Sequence, residues 1–245
     1  MTKNYVMKIE YDGSMYQGWQ RQPGSKSIQG EIEAVLSKIY ASKVEIHGSG
    51  RTDAGVHGLN QVAHFIVDPK VPDEKLNWVL NRMLPLDIRI KEIKSVDFDF
   101  HSRYSAKGKR YIYKLKNKET CSSFDARYVW GIDFPIDIEL MRKAAKELEG
   151  ERDFSSFMAS GSSAKTSIRK IHEIDIREEG DVIELEFYGN GFLYNMVRIM
   201  TALLVRIASG SVGIEIIEKI NQSKGRKYTA HTAPATGLYL KEVIY

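Results

Sequence analysis

Cysteine is nearly absent from this chain, with Cys121 the single example in 245 residues. That excludes an internal disulfide and a thiolate cluster for zinc, and a reducing compartment, the cytoplasm, is the expected home. Long uncharged apolar runs are missing as well, so no membrane span is expected, and the opening Met1-Thr2-Lys3-Asn4 lacks the apolar stretch of a signal peptide. A strong excess of one charge is also lacking: 36 Lys and Arg stand against 32 Asp and Glu, a formal +4. Such mild basicity suits a local phosphate-binding surface better than a wholly basic coat, and by itself it does not decide for nucleic acid. No Gly-Lys-Ser/Thr follows the glycine-rich stretch near residue 50, which removes a phosphate loop. His57 and His64 have no Cys or carboxylate at ligand spacing, which removes zinc and leaves them as packed or hydrogen-bonded residues.

What is present reads as interleaved strands and helices. Tyr5, Met7, Ile9 and Tyr11 alternate as one face of a strand, and Asp12-Gly13-Ser14 turns the chain. Ser27 can cap a helix whose stripe is Ile28, Ile32, Val35, Leu36 and Ile39. Strands are predicted at 44–47, 61–67 and 88–96, with a helix at 74–83. The second half continues with a strand at 110–116, a helix at 137–149, a hairpin of 167–177 and 182–188, a long helix at 192–207, a short one at 214–221 and a closing strand at 237–244. The polar, basic stretch 102–109 suggests a boundary between domains 1–105 and 106–245. The expected fold is α+β: two similar mixed α/β halves with joined antiparallel sheets around a central cleft.

Four places could carry chemistry or bind a substrate. Glycines 48, 50 and 55 surround Arg51-Thr52-Asp53, where a carboxylate beside an arginine can be a nucleophile or base, or the cap of an Asx turn. In the long helix, Tyr194 and Arg198 lie one turn apart, away from the apolar stripe, and Arg198 either snorkels to water or pairs with a carboxylate. Tyr111 shares a strand face with Tyr113 and Leu115, as core or as functional ring. Lys107, Lys109, Arg110, Lys114, Lys116 and Lys118 form a solvated face or a phosphate track.

These segments are also where the chain resembles a known family. Gly50-Arg51-Thr52-Asp53-Ala54-Gly55-Val56-His57 followed by Gln61-Val62-Ala63-His64-Phe65 resembles the signature of tRNA pseudouridine synthase A. Tyr11-Asp12-Gly13 with Gly18-Trp19-Gln20-Arg21-Gln22 resembles that family's opening, and Lys109-Arg110-Tyr111-Ile112-Tyr113 its second-domain start. Phe192 to Arg198 resembles its long helix and Ala233 to Leu240 its closing segment. Against the family pattern stand Gly58, Arg152 and Lys170, and Thr201-Ala202-Leu203 where a glycine is usual; none is among the catalytic candidates.

The resemblance implies a two-domain homodimer that uses neither metal nor organic cofactor. It implies action on tRNA, at uridines of the anticodon arm just 3′ of the anticodon, bound in the central cleft. It makes Asp53 the catalytic residue, Arg51 the residue that helps flip the nucleotide, Tyr111 the ring against the uracil, and Arg198 the partner of the catalytic carboxylate. Arg21, Lys109 and Arg110 are expected to contribute to RNA binding. A stacked uridine hides its glycosidic bond, so extrusion, at roughly a few kcal/mol, has to precede chemistry. A non-catalytic RNA-binding protein and a phosphate-handling hydrolase are the competing readings. Asp53, Tyr111 and Arg198 together speak against the first, and the lack of metal carboxylates against the second.

Overall fold

A computed structural model describes residues 1–117, 120–162, 164–223 and 225–245, so Lys118 of the basic series lies outside the described residues. The chain forms two compact units, one of residues 1–107 with 239–245 and one of residues 108–238. The first unit therefore takes back the end of the chain.

In the first unit, β1 (Lys3–Tyr11) is flanked antiparallel by β3 (His57–Val67) and β4 (Ile88–Val96). Its alternation works as the sequence suggests, with Tyr5, Met7, Ile9 and Tyr11 all buried. Two helices, α1 (Ile28–Tyr40) and α2 (Asp73–Met83), supply the rest of the core through Ile32, Leu36, Leu76 and Leu80. The Ser27 side chain caps α1 by accepting from Gly30 N at 3.2 Å, which stabilises a helix start by about 1 kcal/mol. The strand expected at 44–47 shrinks to β2 (His47–Gly48). Val44 N and Ile46 N donate instead to the side chains of Ser37 and Glu33 on α1, so those amides are not available to a sheet. The closing strand β10 (Leu238–Ile244) runs parallel to β3, with Tyr239 opposite His57 and Leu240 opposite Gly58.

In the second unit, β5 (Gly108–Asn117), β9 (Val182–Gly189), β8 (Ile168–Glu179) and β7 (Gly150–Asp153) are antiparallel neighbours in that order, and β6 (Trp130–Ile132) lies parallel to β5. The β8–β9 hairpin turns at Gly180, whose φ of 64° lies in the left-handed region that glycine adopts without strain. Asp137 caps α3 (Ile138–Glu147) by accepting from Leu140 N, and α3 packs against α4 (Met196–Ala208); α5 (Ile216–Gln222) follows. No alternation announces β7: three of its four residues are charged, as is usual for a short protected edge strand.

The long helix begins four residues later than its periodicity predicts. Asn195 sits at φ 59°, ψ 9°, a left-handed conformation that interrupts a right-handed helix. Phe192, Leu193 and Tyr194 therefore belong to the approach loop. Tyr194 and Arg198 do not share a helix face.

Candidate active site

The Asp53 loop joins β2 to β3 and is fastened by the loop between β1 and α1. Trp19 N donates to Thr52 O at 3.0 Å and Gly55 N to Tyr16 O at 3.3 Å, one bond on either side of Asp53. Gly18 allows that approach: a Cβ there would lie 2.5 Å from Thr52 O, and its φ is +85°. Gly13 packs tighter still, where a Cβ would meet Val56 O at 2.0 Å. The two glycine-bearing motifs, residues 11–22 and 50–57 of the sequence, are thus one packing unit built from backbone contacts.

Side chains brace the same loop from below. Tyr11 Oη and Thr52 Oγ1 are 2.8 Å apart in a buried hydrogen bond, and burial pushes the Tyr11 phenol up from its ordinary value. Ser49 Oγ donates to Gln61 Oε1 at 2.7 Å, while Gln61 Nε2 donates to Gly50 O at 3.1 Å. Val56 N donates to Asp53 O at 3.1 Å, closing a turn at Gly55, φ +76°. Within this frame Asp53 is half-buried and Arg51 is exposed. The loop that carries this carboxylate is thus held by backbone bonds on both sides of Asp53 and by side-chain bonds to Thr52 and Gly50.

The two histidines of the signature serve structure. His57 Nδ1 accepts from Gly13 N at 3.2 Å, and its ring stacks on Tyr239 with centroids 4.6 Å apart. Asp12 Oδ1, which accepts from Ser14 N and Oγ, is also 3.2 Å from that nitrogen. His64 is buried, its Nδ1 accepting from Ser102 N at 3.2 Å. Burial, reinforced by His101 and His47, pushes its imidazole down to about 4.

In the second unit, Tyr111 is buried on β5, opposite Phe187 of β9 and edge-on to Phe192 at 5.1 Å. Arg198 stands in the first turn of α4, half-buried. Its Nε donates to Ala233 O and its Nη1 to Asn195 Oδ1, both at 2.8 Å, and Ala233 N donates back to Arg198 O at 3.1 Å. The closing motif Ala233–Gly237 thus holds this arginine. Tyr113, buried on the same strand face as Tyr111, joins in: its hydroxyl donates to Pro234 O at 2.7 Å. A Cβ on Gly237 would meet Lys114 O at 2.7 Å, so only glycine lets the motif lie against β5.

The basic residues of β5 are neither a bare track nor merely solvated. Arg110 Nη1 lies 3.0 Å from Glu186 and its guanidinium covers the Tyr188 ring at 4.2 Å. Lys116 lies 2.6 Å from Asp125, and Lys114 3.8 Å from Glu184. Lys109 is half-buried beside them, and Lys107 is exposed. Arg21 is engaged by Glu33 and by Glu45, the latter at 3.5 Å. Among the described residues, no group of three or more His, Cys, Asp or Glu side chains could hold a metal ion, and no helix is long and apolar enough to cross a membrane.

Sequence reasoning missed the polar chain behind Arg51, made of Gln20, Gln29 and Glu33. Its signal was there: Gln29 and Glu33 are one turn apart on the otherwise apolar, buried side of α1.

Comparison with known proteins agrees over most of the chain. A family model described as tRNA pseudouridine synthase matches residues 7–105 and 144–245. The tRNA pseudouridine synthase A of Acetivibrio thermocellus is 44% identical over 243 residues, covering 99% of this chain and 100% of that protein. Its namesake in Ligilactobacillus salivarius is 42% identical over 249 residues, covering 100% and 97%. The tRNA pseudouridine synthase A 2 of Clostridium tetani is 42% identical over 247 residues, covering both chains in full.

Proposed function

The chain belongs to the tRNA pseudouridine synthase family and is an isomerase of uridine in tRNA, and from that premise we propose that Asp53 carries the reaction at uridines of the anticodon arm. The observation that supports Asp53 is its loop: a half-buried carboxylate between two fixed backbone contacts, with Arg51 two residues before it. The isomerisation breaks the bond from N1 to C1′ and forms one from C5 to C1′. C5 loses a proton and N1 gains one, so the change needs no oxidant and no energy source. Asp53 can serve by attacking C1′, by removing a ribose proton or by adding to C6 of the ring.

The other residues have distinct tasks. Arg51, exposed beside Asp53, takes the space that the extruded nucleotide leaves or holds its phosphate. Tyr111 offers a flat wall for the loosened base and a hydroxyl for proton transfer. Arg198, held by Ala233 and Asn195, is a cation of set direction that favours the ionised form of the catalytic carboxylate. Lys107, Lys109, Arg110 and Arg21 meet phosphates of the anticodon arm, and the working form is a cytoplasmic homodimer in which 1–105 and 106–245 act as the two functional halves.

Release of tritium from tRNA labelled at C5 of uridine tests the centre of this reading. Asp53→Asn keeps the size of the side chain and removes its charge. It is expected to bind tRNA as the parent does and to release no tritium above background. Turnover near that of the parent enzyme would remove Asp53 from the mechanism.

A further inference from the structure

Behind Arg51 an unbroken line of hydrogen bonds leads to a buried carboxylate. Arg51 Nε donates to Gln20 Oε1 at 3.0 Å, and Gln20 Nε2 donates to Gln29 Oε1 at 2.7 Å. Gln29 Nε2 donates to Glu33 Oε1 at 3.0 Å and to Ile46 O at 3.1 Å. Glu33, 5% exposed, also accepts from Ile46 N and from Arg21 Nη1. We infer that Glu33, acting through Gln29 and Gln20, is a positioning group that sets the direction in which Arg51 is presented to the flipped nucleotide.

Direction follows from what each group can donate or accept. A carboxylate only accepts, so Gln29 has to turn its NH2 toward Glu33, where Ile46 O also accepts from it. Its carbonyl oxygen then faces outward, where Arg21 N donates to it at 3.0 Å and Gln20 Nε2 joins. Gln20 has spent its NH2 on Gln29 and can present only a carbonyl oxygen to Arg51. That oxygen accepts from Nε, the part of the guanidinium nearest the chain, and leaves the Nη groups directed outward. With either amide reversed, an NH2 would face the arginine and repel it. The chain lies wholly within residues 20–51 of the first unit and touches no substrate, so its members position the arginine without being catalytic residues.

This inference rests on the proposed role of Arg51, and single-turnover tritium release at increasing enzyme concentration separates the two. Gln20→Met keeps the length of a half-exposed side chain and removes the acceptor, so folding is not at stake; a thermal melt checks it. The maximal rate is expected to fall about tenfold, as for loss of a hydrogen bond to a charged group, with half-saturation changed less than about twofold. In an Arg51→Ala background, Gln20→Met is expected to add nothing. Glu33→Gln is expected to lower the maximal rate in the same way and to be non-additive with Gln20→Met. If Arg51→Ala is impaired while Gln20→Met turns over normally, or if the two losses multiply, the relay is overturned and the role of Arg51 stands. Losses from Glu33→Gln and Gln20→Met that multiply would overturn the part assigned to Glu33. If Arg51→Ala itself turns over like the parent, both readings fall together.

Discussion

Tyr111 and Arg198 can each be probed one function at a time. Tyr111 is buried with its ring edge-on to Phe192, so phenylalanine fits its place and alanine leaves a hole. If the hydroxyl moves a proton, Tyr111→Phe slows pseudouridine formation by about two to four orders of magnitude with tRNA binding near normal, the range usual for general acid–base help. Equal losses for phenylalanine and alanine assign the hydroxyl; a small loss for phenylalanine beside a large one for alanine leaves only the ring. Near-normal product from Tyr111→Ala under single-turnover conditions would remove both. Arg198 uses Nε and Nη1 on protein acceptors at once, a fork that an ammonium cannot copy. Arg198→Lys keeps the charge but loses the set direction, and turnover is expected to fall well below that of the parent while affinity for tRNA holds. Unchanged turnover would make this arginine a structural clasp for Ala233.

At the scale of elements, the Asp53 loop is shaped by the glycines that face it. Gly18→Ala places a methyl 2.5 Å from Thr52 O at a φ of +85°, so stability is expected to drop by at least about 2 kcal/mol in urea unfolding. Turnover falls with it, because the loop cannot keep its path. The strand β3 carries a second expectation through His64. Its imidazole is held neutral by burial, with His101 and His47 adding to the effect, and Ser102 N donates to it. The unfolded chain takes up that proton near 6.5 and the folded one only near 4, so the unfolded state binds more protons between them. Stability is therefore complete above about pH 6.5 and falls as pH descends toward 4. Melting temperatures across that range should decline less for His64→Gln than for the parent protein; parallel curves would assign the decline to other groups.

For the whole molecule, charge and chain return matter most. Counterion release makes tRNA affinity fall steeply with salt, and each phosphate contact contributes close to one unit of the log–log slope. Lys116 already faces Asp125 and Asp181, whereas Lys107 is exposed with no carboxylate against its ammonium among the described residues. Lys107→Ala is expected to lower the slope by about one unit and Lys116→Ala by less. The reverse order would move the phosphate track toward the Lys116 end of β5. The last seven residues close the first unit, with Leu240 buried and Tyr239 stacked on His57. A chain ending at 238 is expected to unfold at lower urea concentration and to lose the cooperativity of the first unit's transition.

Much of this was legible without coordinates. Alternation in β1 and β5, the Ser27 cap, the β8–β9 hairpin and the Arg51-Thr52-Asp53 block are local patterns, and local patterns follow from backbone periodicity and turn chemistry. The family was legible in the same way, from five short motifs. Tertiary structure decided what depends on partners far along the chain. The amides of 44–46 go to α1 side chains instead of a ladder, and Asn195 breaks the helix that hydrophobic spacing had started at Phe192. The closing strand settles on β3, and the basic residues of β5 meet carboxylates from the neighbouring strand and loops. The line from Glu33 to Arg51 is the clearest case. Sequence supplies the donors and acceptors, but an amide has two possible directions, and only a buried carboxylate at the far end of a folded chain chooses between them.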